Sequence, residues 1–183
     1  MLKKRFMVQF RGKANKENIL FWKDYRVTVL SSRLFRLEKS AMRAFRDEPT
    51  QAVWYRDMPA QKFTVTQKGE NLMIDMGDCR LILHEDRGQV CVEMQKRPIL
   101  LNNDGNLLGT YRTLDCCNGN VHFSPWLEND EPYEIELGKG VCSKSGVAVL
   151  DDSSSLTLGK DGQVKKERAN GSDEYILPTE RII

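Results

Sequence analysis

The sequence predicts an all-β chain, an antiparallel β-sandwich with at most one or two short helices. Three observations point there. Short runs alternate apolar and polar residues over most of the 183 positions. Clusters of Gly with Asp, Asn or Lys separate them, and these residues supply the positive φ angles of tight turns. No long stretch carries the apolar spacing of a helix. Alternation with a period of two puts apolar groups on one sheet face, and strands at this spacing without long helices between them form sandwiches or barrels.

Taken in order, the predicted strands are Arg-Val-Thr-Val-Leu (26–30), Arg-Leu-Phe-Arg-Leu-Glu (33–38), Lys-Phe-Thr-Val-Thr (62–66) with Phe63 and Val65 on one side, and Asn-Leu-Met-Ile-Asp (71–75). Cys-Arg-Leu-Ile-Leu (79–83) and Gln-Val-Cys-Val-Glu-Met (89–94) follow, then Tyr-Glu-Ile-Glu-Leu (133–137), Gly-Val-Ala-Val-Leu (146–150) and Ser-Leu-Thr-Leu (155–158). Residues 39–47 predict one helical turn or two, stopped by Pro49, since proline disfavours helix at the residue before it. There is no internal repeat and no low-complexity linker, so residues 1–183 read as a single domain.

Charge and cysteine usage exclude several classes. The formal net charge is +2, with Lys and Arg interspersed among Asp and Glu. That leaves no basic face for nucleic acid and no polybasic tail for lipid. The basic start is followed by no apolar run, so secretion is not expected, and no stretch is apolar long enough to span a bilayer. Five cysteines occur without a C-x-x-C; three lie in strand-like runs and read as reduced thiols of a cytoplasmic protein. Cys116 and Cys117 are adjacent, poor geometry for one metal ion or for a disulfide. Neither metal nor cofactor is expected.

The stretch from Gly105 to Ser153 stands out, because two ordered-looking ends enclose a polar insert over 116–131, and such loops tend to carry function. Asp151 and Asp152 are the most conspicuous carboxylates. Neighbours on a strand point to opposite faces, whereas a retaining glycosidase needs two carboxyls facing one bond about 5 Å apart. A turn in which one Asp caps backbone amides, with Ser153, is the favoured reading. Asp130 and Glu131 read as solvated. His84 and His122 have no catalytic or metal-ligand spacing, and there is no G-x-S-x-G or phosphate loop. Trp22 and Trp54 read as sheet-packing residues. Trp126, in Phe-Ser-Pro-Trp-Leu, reads as the anchor of its loop, ahead of an exposed stacking platform.

Four motifs carry a resemblance. Tyr-Arg-Val-Thr-Val-Leu-Ser-Ser-Arg-Leu-Phe-Arg-Leu-Glu (25–38), Phe-Arg-Asp-Glu-Pro-Thr-Gln-Ala-Val (45–53), Gly-Asn-Leu-Leu-Gly-Thr-Tyr-Arg-Thr-Leu-Asp (105–115), and Ser-Lys-Ser-Gly-Val with Asp-Asp-Ser (143–153) occur in that order. Together they resemble the N-terminal domain of glycoside hydrolase family 31, most clearly over 25–158. Val147 stands where that family usually has Trp, and Lys144 where it has Arg. The resemblance implies a galactose-mutarotase-like sandwich that precedes a catalytic (β/α)8 barrel acting on α-linked sugars, typically α-glucosides or α-xylosides. Nothing after Leu158 resembles the barrel, which carries both catalytic acids, and residues 173–177 resemble the last stretch before it.

The leading expectation is therefore a non-catalytic domain that supports the barrel and borders its substrate entrance, with the α-glycoside bound through the parent enzyme. By position, Asp115 and the Asp151–Asp152 pair fall near that border. A face left open for the barrel, over 177–183 and 116–131, makes self-association an expectation. The alternative is a free-standing carbohydrate-binding module with Trp126 as its platform. An enzyme of mutarotase type ranks last, because that chemistry needs a positioned acid and base.

Overall fold

A computed structural model of the chain describes residues 9–85, 88–101, 105–107, 120–121, 133–134, 139–159, 163–165 and 171–179. Among them there is no α-helix, and no helix long and apolar enough to cross a membrane. One 3₁₀ turn, Lys16–Asn18, is capped by the Asn15 side chain, which accepts from the Glu17 amide at 3.1 Å.

The first sheet holds β1 (Ile19–Trp22), β2 (Tyr25–Val29), β3 (Phe35–Lys39), β14 (Ser172–Pro178) and β11 (Val147–Asp151), in that spatial order. The second is a meander of β4 (Thr64–Lys68), β5 (Asn71–Asp75), β6 (Cys79–His84), β7 (Gln89–Met94) and β8 (Arg97–Leu100). Every neighbouring pair is antiparallel. Two short ribbons complete the described chain, β9 (Asn120–Val121) with β10 (Tyr133–Glu134) and β12 (Thr157–Leu158) with β13 (Val164–Lys165). The antiparallel sandwich expected from alternation is the fold observed.

The two sheets meet over one core. Val27, Val29, Phe35, Leu37 and Ile176 face Leu72, Ile74, Leu81, Leu83 and Val92, and each is exposed by 3% or less. Burying each such side chain contributes about 1.5–3 kcal/mol, so this layer holds the sheets together. Trp22 joins it, stacked on Tyr25 with centroids 6.0 Å apart. The β7–β8 turn takes positive φ at both Gln95 (52°) and Lys96 (63°), the pattern of a two-residue hairpin that matches strand twist.

Two expectations are corrected. Residues 39–47 form no helix; the chain makes one turn, Arg43 N–H to Ser40 C=O at 2.9 Å, and then runs as an extended strap across the first sheet. The Arg46 carbonyl is taken up by Arg26 and Arg36 of that sheet, which holds the segment extended. Trp54 does not pack on a sheet; it lies on this strap, 42% exposed. The strap also covers the polar half of β2, which is buried at all five positions.

β14 enters the sheet through Gly171, whose φ of 125° suits glycine, and a Cβ there would run into the backbone carbonyl of Lys39. Gly171→Ala is expected to cost about 2–3 kcal/mol, read as a lower denaturation midpoint. An unchanged midpoint would show that the β3–β14 junction yields.

Candidate functional site

Strand register sorts the polar residues of the first sheet into two faces. Arg26, Glu38 and Asp173 lie side by side on the outer face, followed by Thr28, Arg36 and Tyr175. Arg26 forks onto Glu38 through Nε at 2.5 Å and Nη2 at 2.8 Å. Arg36 forks onto Asp173 through Nε at 2.8 Å and Nη2 at 2.6 Å. Such bidentate pairs are the strong form of the ion pair.

The strap over residues 40–57 closes this face. Arg46 C=O accepts from Arg26 at 2.5 Å and from Arg36 at 3.0 Å, and Asp47 takes the Arg26 Nη1 at 2.7 Å. Arg46 in turn donates to the Ser153 carbonyl at 3.0 Å. Arg56 is fully buried; it donates to Tyr175 Oη, to the Glu48 carbonyl at 2.6 Å and to Asp152 at 3.4 Å. Burial lowers the affinity of Arg36 for its proton, but Asp173, Tyr175 and Glu38 outweigh that, and its pKa is raised overall. Burial pushes the Tyr175 phenol up to about 12, so it stays neutral.

Asp152 belongs to this network. It is 0% exposed, and its carboxylate accepts from Thr50 Oγ1 at 2.9 Å besides Arg56. Its neighbour Asp151 is exposed, and there Oδ1 accepts from the Ser153 amide at 2.9 Å, the capping turn expected from sequence. The two aspartates thus have separate fates. Asp115 and Trp126 lie outside the described residues, as do Asp130, Glu131 and His122.

Asp151 is the cross-strand partner of Glu174, and this pair ends an inner-face row that begins with Val27 and Leu37. Here the row turns from apolar to acidic, and a groove of about 510 Å³ opens between the sheets. Val90 and Leu101 line one side, Val149, Asp151 and Glu174 the other, and Lys139 stands at its rim. Glu174 has its pKa raised, chiefly by burial and then by Asp151 and Asp173, while Lys139 opposes the shift. The groove therefore brings two acidic side chains and one lysine to its edge. These groups suit hydrogen bonds to hydroxyls. No group of three or more His, Cys, Asp or Glu able to hold a metal occurs among the described residues.

Sequence reasoning missed Glu174. Its signal was parity within 173–177, which has meaning only once β14 is paired with β11. The groove is bounded by the enclosed stretch anticipated from sequence. Asn106 binds Gly140 twice, its amide donating to the carbonyl at 2.8 Å and accepting from the N–H at 2.9 Å, and Leu107 N–H reaches Cys142 C=O at 3.0 Å.

No family model matches the chain, and no curated protein matches it. Solved structures do. The chain aligns with a Flavobacterium johnsoniae GH31 dextranase complexed with glucose at 12% identity and a TM-score of 0.50, over 94% of this chain and 27% of that one. A mutant of the dextranase complexed with isomaltotriose gives 13% identity, the same score and the same shares. A GH31 alpha-xylosidase from a soil metagenome, complexed with xylose, gives 10% identity and a TM-score of 0.48 over 88% of this chain and 31% of that one. The chain thus spans less than a third of the length of these enzymes. At these identities the likeness is one of fold: a β-sandwich that occurs as a part of GH31 enzymes.

The divided fates of the two aspartates set one test. Asp152→Asn is expected to lower stability by about 3 kcal/mol, because it strands a buried guanidinium. Asp151→Asn should stay within about 0.5 kcal/mol of wild type. Urea titrations of both variants that give equal losses would refute the division.

The raised Glu174 sets a second. Its native state holds the proton more tightly than the unfolded chain, so its contribution to stability is present at low pH and is lost as pH rises through the raised value. Glu174→Gln should therefore raise the thermal midpoint at pH 7 and change it less at pH 4. A shift of the same size at both pH values would exclude this linkage.

Proposed function

We propose that the chain is the N-terminal β-sandwich of a glycoside hydrolase family 31 enzyme, itself non-catalytic, which supports a (β/α)8 barrel and borders its substrate entrance. One observation carries this: 94% of the chain lies on 27% of a GH31 dextranase, the proportion of a companion domain to a larger whole. The motif residues agree. Arg26 with Asp47, Arg36 with Glu38, and Thr50 with Asp152, drawn from three of the four motifs that resemble the family, pair with each other as scaffold.

On this reading the parent enzyme hydrolyses an α-linked glycoside, in keeping with the dextranase that shares the fold. Asp151, beside the groove, with Asp115 and Trp126 from the enclosed stretch, borders the entrance; Asp152 serves from behind by holding the strap. The barrel docks against residues 177–183 and the enclosed stretch, where Leu177, Val141 and Leu107 are exposed apolar side chains. Without the barrel this face favours self-association. The reading includes a cytoplasmic location, supported by cysteines that act as small strand hydrophobes; Cys79 fits, a buried thiol pushed up to about 11 by desolvation.

Co-expression with a family 31 barrel segment tests the reading. A co-purifying complex with α-glycosidase activity, above that of the barrel alone, is expected. Failure to form a complex, with no gain in activity, would overturn it.

A further inference from the structure

The two five-stranded sheets end in four edge strands, β1 and β11 in the first, β4 and β8 in the second. An open edge is a template for further pairing, and folds commonly blunt it. β8 carries Pro98, which has no N–H to donate. Along β11, Val149 N–H donates to Val141 C=O at 2.8 Å, and Val147 C=O accepts from Ser143 N–H at 3.1 Å. That edge is already occupied. At β1 the strap packs Phe45 against Phe21, with centroids 5.7 Å apart, and Arg43 sits over the same ring, crowding the approach. β4, Thr-Val-Thr-Gln-Lys, has none of these devices and is exposed at all five positions.

Parity fixes which backbone groups that edge offers. The β4–β5 turn closes on the pair Lys68–Asn71, so Lys68, Thr66 and Thr64 turn their backbone groups toward β5. Val65 and Gln67 turn theirs outward, and among the described residues no backbone group outside β5 meets them. Val65 stands across from Ile74, on the core side of the sheet, yet is 42% exposed. Charge then decides what the edge fits. An antiparallel second copy can pair with the outward groups in a register centred on Val65, Thr66 or Gln67. The first sets Lys62 opposite Lys68 of the second copy, like charges face to face. The last brings the two Lys68 within about 7 Å of each other along the strands. The register centred on Thr66 sets Lys62 toward Glu70 of the second copy and parts the two Lys68 by about 14 Å, beyond the screening length. Lys62 is exposed, and Glu70 keeps most of its side chain in solvent beside Lys23.

We propose that β4 is the pairing edge of a homodimer, in which two copies join antiparallel about Thr66 and extend their second sheets into one. In that register Val65 of each copy exchanges backbone hydrogen bonds with Gln67 of the other. The two Thr66 meet across the axis, and the two Val65 side chains become diagonal neighbours on the core side. Strand addition draws its affinity from main-chain bonds, and its choice of partner here from the Lys62 and Glu70 ends. The contact is small beside the roughly 800 Å² per partner of a stable interface, so the dimer is weak, with Kd on the order of 100 µM. It shares no residue with the face at 177–183 that the barrel reading assigns to docking.

Sedimentation equilibrium of the full chain, from about 10 µM to about 1 mM, tests this. A monomer–dimer equilibrium is expected. Val65→Pro removes an outward N–H, which an edge strand tolerates, so β4 stays on β5 while intermolecular bonds are lost. At least a roughly tenfold weaker dimer is expected. Lys62→Glu and Glu70→Lys should each weaken association, and the two together should restore it, which decides the matter should the proline variant not fold. A chain monomeric up to about 1 mM would overturn the proposal and leave the edge to a strand of another protein. So would equal association by wild type and Val65→Pro. A dimer abolished by Leu177→Asp and indifferent to Val65→Pro would belong to the barrel-docking face, overturning the edge pairing and leaving the domain assignment standing.

Discussion

The fold depends on a layer of ions, buried except at Asp47, between the first sheet and the strap that crosses it. Three guanidiniums, from Arg26, Arg36 and Arg56, meet the carboxylates of Glu38, Asp47, Asp152 and Asp173 there. Taking such charges out of water costs several kcal/mol each, and only close pairing with further hydrogen bonds offsets it. The chain supplies both, with two bidentate forks and carbonyls from Gly12, Arg46 and Glu48 for the remaining N–H groups. The Thr28 hydroxyl is the buried side-chain group left without a partner among the described residues. The layer thus adds little net energy compared with the apolar core, but it admits few rearrangements, because any shift would strand a buried charge.

That constraint explains how acidic residues so near in sequence part company. β11 ends at Asp151, which faces inward across from Glu174. The next residue leaves the strand, its amide donates to the Asp173 carbonyl at 2.8 Å, and its carboxylate turns to the strap. Arg46 holds the following segment by its Ser153 carbonyl, and the Ser153 hydroxyl accepts the Asp173 amide at 2.9 Å. One side of the first sheet is therefore committed to architecture. The groove, by contrast, lies where the inner row runs past the apolar core, and among the described residues no arginine forks onto its acids.

The strands were legible wherever one face was apolar and the other wet. Residues 71–75 and 89–94 coincide with β5 and β7 for that reason. β1, Ile-Leu-Phe-Trp, has no alternation to read, and β8 contains Pro98, tolerated because β8 is an edge strand. In β2 and β3 the period was right but its polar half is buried under the strap, which pattern alone does not reveal. The same strap misled the expectations for 39–47 and Trp54, since its conformation is set by arginines brought from other strands. Of the site, the capped turn at Asp151 was local and readable. Glu174, the burial of Asp152 and the exposure of Trp54 arise from pairings over long separations in sequence.

The doubled clasp between Asn106 and Gly140 bears on loop length. It ties the roots of the stretch between them to each other, and Lys144 N–H to Gly105 C=O at 2.8 Å fastens the same neck to the hairpin that leads into β11. The sandwich on either side then feels a fixed span whatever that stretch contains. Doubling a closed loop's length adds only about 0.6 kcal/mol of closure entropy, so insertions there are nearly free. Such a neck works as a socket: a longer or shorter stretch can be seated between the same two roots at little cost in closure entropy.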